Sequence, residues 1–132
     1  MGTWGAGNFD SDAAAEYLDE LLRQMISIIE SYAGSEPEQP CDFEDLEEKL
    51  MPSVDIMTTL IQHYRHASAV ELPQIQAWRR NVLAIYDQTI DDVGPKERFK
   101  TQRRIVIQNT FDKLEVLVHE QDVYVRKLRG EG

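Results

Sequence analysis

From Ala14 to Tyr32 the apolar residues of this chain fall three and four positions apart: Ala14, Tyr17, Leu18, Leu21, Leu22, Met25, Ile28, Ile29 and Tyr32. That spacing is the period of one continuous helical face, and it does not suit the two-residue alternation of a half-buried strand. Asp10, Ser11 or Asp12 can cap the first amides, and negative charge there suits the helix dipole. Gly34 supplies the stop.

The same period returns along the rest of the chain. Ser35 to Pro40 is polar, contains two prolines and reads as a loop. Asp42 then reads as the N-cap of a short helix carrying Phe43, Leu46 and Leu50. Pro52 suits either a break or the first turn of a new helix, where a missing amide hydrogen costs nothing. Val54, Met57, Leu60, Ile61 and Tyr64 continue a helical stripe ending near Ala67. Pro73 opens another helix, with Ile75, Trp78, Val82, Ile85, Tyr86 and Ile90 on one face. After the turn at 91–95, Phe99, Val106, Ile107, Phe111, Leu114, Leu117, Val118, Tyr124 and Leu128 carry the period to the end.

One helix over 96–129 would be about 50 Å long. A compact domain of this size has a radius of gyration of only ~14 Å. A break near Glu120–Asp122 is therefore expected. The fold class expected is all-α: one compact, bundle-like domain of four to five helices over residues 1–132. Within it, 1–12 is a Gly-rich motif loop that plugs and caps the first helix, and 34–42 is an acidic, Pro-containing loop.

The net charge of −10 argues against nucleic acid and anionic membranes as partners and favours basic ones. It is also unevenly placed. Residues 1–66 hold 14 acidic against 3 basic side chains, and residues 67–132 hold 10 against 11. Glu36, Glu38, Asp42, Glu44, Asp45, Glu47 and Glu48 form an acidic run with no cation among them, a candidate patch for a basic partner. A basic run follows at Lys96, Arg98, Lys100, Arg103 and Arg104. It could touch nucleic acid, or it could balance the acidic half within the molecule or across a homodimer.

Cys41 is the only cysteine, so no internal disulfide forms, and its acidic surroundings disfavour a reactive thiolate. The first cation is Arg23 and no apolar run approaches the roughly 20 residues of a membrane span. Ala6 stands where a myristoylation pattern wants Ser or Thr. A cytoplasmic location is the expectation.

Gly5 and Gly7 ahead of a helix are reminiscent of phosphate-binding loops, but no strand precedes them, and Asp10 and Asp12 would repel the anion. The expectation is structural instead: the glycines turn the chain, Trp4 and Phe9 bury, and the aspartates cap. His63 and His66, three apart on one helix, are candidate metal ligands if a carboxylate joins them, and surface histidines otherwise. The carboxylates of 42–48 could supply an acid–base pair, although a solvated helix face explains them more simply. Helical phase puts Trp78 on the buried stripe.

Trp4, Gly5, Gly7, Asn8, Phe9, Asp10, Ser11, Asp12 and Ala14 stand in a pattern W-G-x-G-x-F-x-S-D-x-A. This resembles the N-terminal signature of a family of small bacterial proteins, domain of unknown function 4259 (DUF4259), which has asparagine where this chain has Ser11. Leu72-Pro73 followed by Trp78 is a second likeness. The resemblance implies a bacterial, cytoplasmic, all-helical protein and brings with it no activity, cofactor or catalytic residue. Together these readings favour a non-enzymatic module that binds a basic protein, with an immunity- or antitoxin-like protein as one form. The alternatives are a metal-dependent enzyme built on His63 and His66, and a structural or regulatory homodimer.

Overall fold

Ser11 starts the first helix: its backbone is extended, and its hydroxyl accepts the Ala14 N–H at 3.2 Å. From there α1 runs over Asp12–Ala33 and buries Leu18, Leu22, Ile29, Tyr32 and Ala33, the stripe that the period marks out. Gly34 ends it, and a side chain from elsewhere completes the end. Asn81 donates to the carbonyls of Ala33 at 2.8 Å and Gly34 at 3.3 Å, satisfying groups that a helix terminus leaves open. These are features of a computed structural model, which describes residues 2–67 and 69–130. Met1, Ser68, Glu131 and Gly132, which the expected span of 1–132 includes, lie outside the described residues.

Asp42 and Asp45 form a reciprocal capping box that opens α2, Phe43–Asp45. Pro52 falls in the first turn of α3, Met51–Tyr64, one of the two places expected for it, and the chain runs into that helix without a gap through a π-helical turn, Leu46–Leu50. The Met51 N–H reaches back five residues to the Leu46 carbonyl, and the Ser53 hydroxyl takes up the Lys49 carbonyl at 2.6 Å. Pro52 cannot donate to the preceding turn, and the wider turn just before it accommodates the missing donor without breaking the rod. Arg65 ends α3 in the left-handed conformation (φ 53°).

Glu71 and Gln74 box the start of α4, Leu72–Thr89, with Pro73 in its first turn. A 3₁₀ turn, Ile90–Val93, and Gly94 at φ 59° reverse the chain. The last helix, α5, then runs unbroken over Glu97–Leu128, correcting the break expected near Glu120–Asp122. Compactness did not enforce one, because α5 contributes to the core only through Ile107, Phe111, Leu114 and Val118. Beyond Val118 no residue of it is fully buried, although Gln121 and Val125 stay half-buried and Gln121 and Tyr124 face the end of α3 across an open groove.

The buried cluster joins the helices around Trp78, Tyr86 and Phe111, all fully buried. Polar tips inside it are answered: Tyr86 donates its hydroxyl to the Lys100 carbonyl at 2.6 Å, tying α4 to α5. The fold is all-α, and among the described residues its sole β-type contact is an isolated bridge between Thr3 and Ser11. No helix of the described residues is long and apolar enough to cross a membrane.

Candidate functional site

The N-terminal loop is built from its glycines and aspartates as one unit. Asp12 Oδ2 accepts the Gly2 N–H at 2.8 Å, and Asp10 Oδ2 accepts the Gly7 N–H at 2.8 Å. Backbone bonds from Trp4 N–H to the Asp10 carbonyl (2.9 Å) and from Asp12 N–H to the Gly2 carbonyl (2.8 Å) close it. A Cβ at Gly5 or Gly7 would lie 2.5 or 2.6 Å from Asp10 Oδ2, so the carboxylate can approach only because no side chain is there. The aspartates therefore staple the loop, and capping α1 falls to Ser11 alone.

The expected burial of Trp4 is corrected: its side chain is 61% exposed. Closure by short polar contacts left the loop no need of a large apolar plug. Phe9 does pack inward, with its ring 4.3 Å from that of Tyr64 on α3. Asn8 is exposed in the turn between Gly7 and Phe9.

The two histidines do not come together as a metal pair. His63 stands exposed on α3, edge-on to the Tyr64 ring at 4.6 Å. His66 lies past the left-handed Arg65, off the helix on which both were expected, and its Nε2 is 3.2 Å from Asp19 Oδ1. Among the described residues, no three His, Cys, Asp or Glu side chains gather closely enough to hold a metal ion. Burial alone would raise the Asp19 carboxyl pKa, but hydrogen bonds with His66 and Arg23 outweigh it and hold the group below the usual carboxylate value.

The basic run is largely spent inside the molecule. Arg103 pairs with Glu47 at 2.7 Å, Arg104 grips Asp87 through two bonds of 2.9 Å, and Lys100 reaches Asp91 at 2.7 Å. Its bonds with Arg104 hold Asp87 below its ordinary pKa and raise that of Arg104, while Asp91 raises Lys100. Lys96 and Arg98 are exposed at the start of α5 and form no ion pair among the described residues.

The acidic run divides differently. Asp42 and Asp45 are engaged in their capping box and Glu47 in its bond with Arg103. Glu36, Glu38, Glu44 and Glu48 are exposed, and no cation of the described residues pairs with them. The loop folds back because the Ser31 carbonyl accepts the N–H groups of Glu38 and Gln39 at 3.0 and 3.1 Å. That brings Glu36 and Glu38 beside Glu30 and three serines, Ser27, Ser31 and Ser35, around a polar cleft of about 270 Å³.

Glu30 itself is positioned from α4. Its Oε1 accepts Gln74 Nε2 at 2.7 Å and the indole N–H of Trp78 at 3.1 Å. Sequence reasoning missed Glu30, which sits one position beyond Ile29 on the flank of the buried stripe. The available signal was Trp78: an indole placed in the core needs an acceptor within reach. Cys41 borders this acidic edge, half-buried, and burial together with Asp45 and Asp42 pushes its thiol pKa up to about 11. A thiol so protonated is a poor nucleophile.

Comparison of the chain with protein-family models, with curated proteins and with solved structures finds no match.

Proposed function

We propose that this chain is a non-enzymatic protein-binding module whose acidic edge, Glu36, Glu38, Glu44 and Glu48 with the cleft that Glu30 shares with Glu36 and Glu38, receives a basic partner. The observation that carries the reading is clustering: Glu36, Glu38, Glu44 and Glu48 are exposed within thirteen residues, and none of them forms an ion pair among the described residues, whereas Glu47 in the same run is held by Arg103. Exposed like charges repel one another, and a positive surface relieves that repulsion while being steered in rapidly. Glu30, fixed by Gln74 and Trp78, presents a carboxylate whose orientation is set before any partner arrives.

The resemblance of the Trp4–Ala14 motif to DUF4259 supports a bacterial protein acting in the cytoplasm, where the lone protonated Cys41 is in keeping with reducing conditions. An immunity- or antitoxin-like role is one form of this reading, since neutralising a basic toxin is a task for such a surface.

A pull-down from the native host at low salt tests the proposal, run beside a variant with Glu36, Glu38, Glu44 and Glu48 each changed to lysine. A specific basic protein retained by the natural chain and lost by the variant supports it. Equal recovery by both chains, or recovery of no specific protein, refutes it.

A further inference from the structure

We propose that the C-terminal end of α5 is a self-association surface, on which the α5 end of a second copy packs antiparallel. Val118 is the last buried residue of this helix, yet the helix continues to Leu128. A helical end only partly covered by the body is marginal in water, and this one also exposes large apolar side chains. Tyr124 is 61% exposed and Leu128 is 69% exposed. With Leu117 they are spaced seven and four residues apart, which places them on one face. Leu117 and Tyr124 also line an open groove of about 660 Å³ whose other wall is Ile61 and Arg65 at the end of α3.

The order of charge along this segment selects the occupant. Glu120 and Lys127, seven residues apart, flank the Leu117–Tyr124–Leu128 stripe on the same side, the acid toward its start and the base toward its end. Asp122 and Arg126 pair with each other at 3.3 Å on the far side of the helix, away from that stripe. Laid antiparallel on itself across this stripe, the segment sets Glu120 of each copy beside Lys127 of the other. A two-fold interface requires that kind of self-complementarity, with each patch serving both subunits. The segment is also locally cationic by one charge, so it is spared the repulsion that a chain of net −10 imposes elsewhere. This surface is separate from the acidic edge and does not depend on the function proposed for that edge.

Sedimentation equilibrium of the whole chain tests it. The expected mass is twice the 15.2 kDa of one chain, with a dissociation constant on the order of micromolar. Tyr124→Lys with Leu128→Lys weakens the dimer at least ~10-fold while thermal unfolding of the exposed-site variant stays close to that of the natural chain. Two charge-swapped chains complete the experiment: Glu120→Lys, and Lys127→Glu. Each is monomeric alone, and an equal mixture of the two restores the dimer. A natural chain that stays monomeric at all concentrations leaves the groove to another partner and overturns the proposal. So does a dimer indifferent to the Tyr124 and Leu128 changes, or swapped chains that do not pair.

Discussion

Glu30 on α1 and Trp78 on α4 are joined by a 3.1 Å hydrogen bond from the indole N–H to a carboxylate oxygen that Gln74 also holds. The ring of Trp78 is fully buried, so this bond is what allows its one polar atom to leave water. It makes Glu30 structural on one side and, on the other, a fixed member of the acidic cleft.

Glu30→Ala removes the acceptor and leaves two donors unanswered. The expected loss is about 1–3 kcal/mol of stability, read as a lower urea midpoint with an unchanged slope. Glu30→Gln keeps an acceptor oxygen and recovers most of it. Equal losses in the two variants would mean that the carboxylate's charge, rather than its acceptor role, matters to the fold.

The exposure of Trp4 and the use of Asp10 as a staple predict an inversion of what bulk alone suggests. Trp4→Ala changes stability by less than about 0.5 kcal/mol, because a largely solvated ring has little burial to lose. Asp10→Ala, although much the smaller residue, costs about 0.5–1.5 kcal/mol through the opened loop. Acrylamide should quench the emission of Trp4 strongly in a Trp78→Phe chain and that of Trp78 weakly in a Trp4→Phe chain.

Cys41 supplies a pH dependence. Its folded-state pKa is raised, from 9.0 to about 11, so the folded state favours the neutral thiol. The resulting stability is fully present below the unfolded value and is lost as pH rises through about 11. Near neutral pH the folded thiolate is about 100-fold scarcer than that of the unfolded chain, so alkylation by iodoacetamide is slower in water than in denaturing urea by about that factor. Equal rates would place Cys41 in open solvent.

Much of this architecture can be read from apolar spacing and caps. The stripe from Leu18 to Tyr32, the stop at Gly34, the start at Pro73 and the burial of Trp78 all follow from the helical period and from end chemistry that acts within a few residues. The departures share a cause: each depends on a contact or a freedom that local pattern does not encode. No gap separates the two helices at Pro52, which opens α3 as its spacing allowed, because a π turn just before it absorbs its missing donor. His66 leaves the helix because Arg65 turns left-handed without the glycine that usually announces such a turn. Helix α5 stays whole because the size of the core limits only the residues that enter it, and those end at Val118. At the candidate site, the acidic run was plain in the sequence. Which of its members were free was not, since Arg103 reaches Glu47 from 56 residues away.

The central claim is that the unpaired carboxylates of the acidic edge receive a basic partner, and the association rate constant with the captured partner, measured against salt, tests it most directly. For the natural chain the rate falls at least ~10-fold between low and high ionic strength, and the chain carrying lysine at positions 36, 38, 44 and 48 associates slowly at every salt concentration. A rate that does not respond to salt, or one equally fast after the charge reversal, would contradict the account.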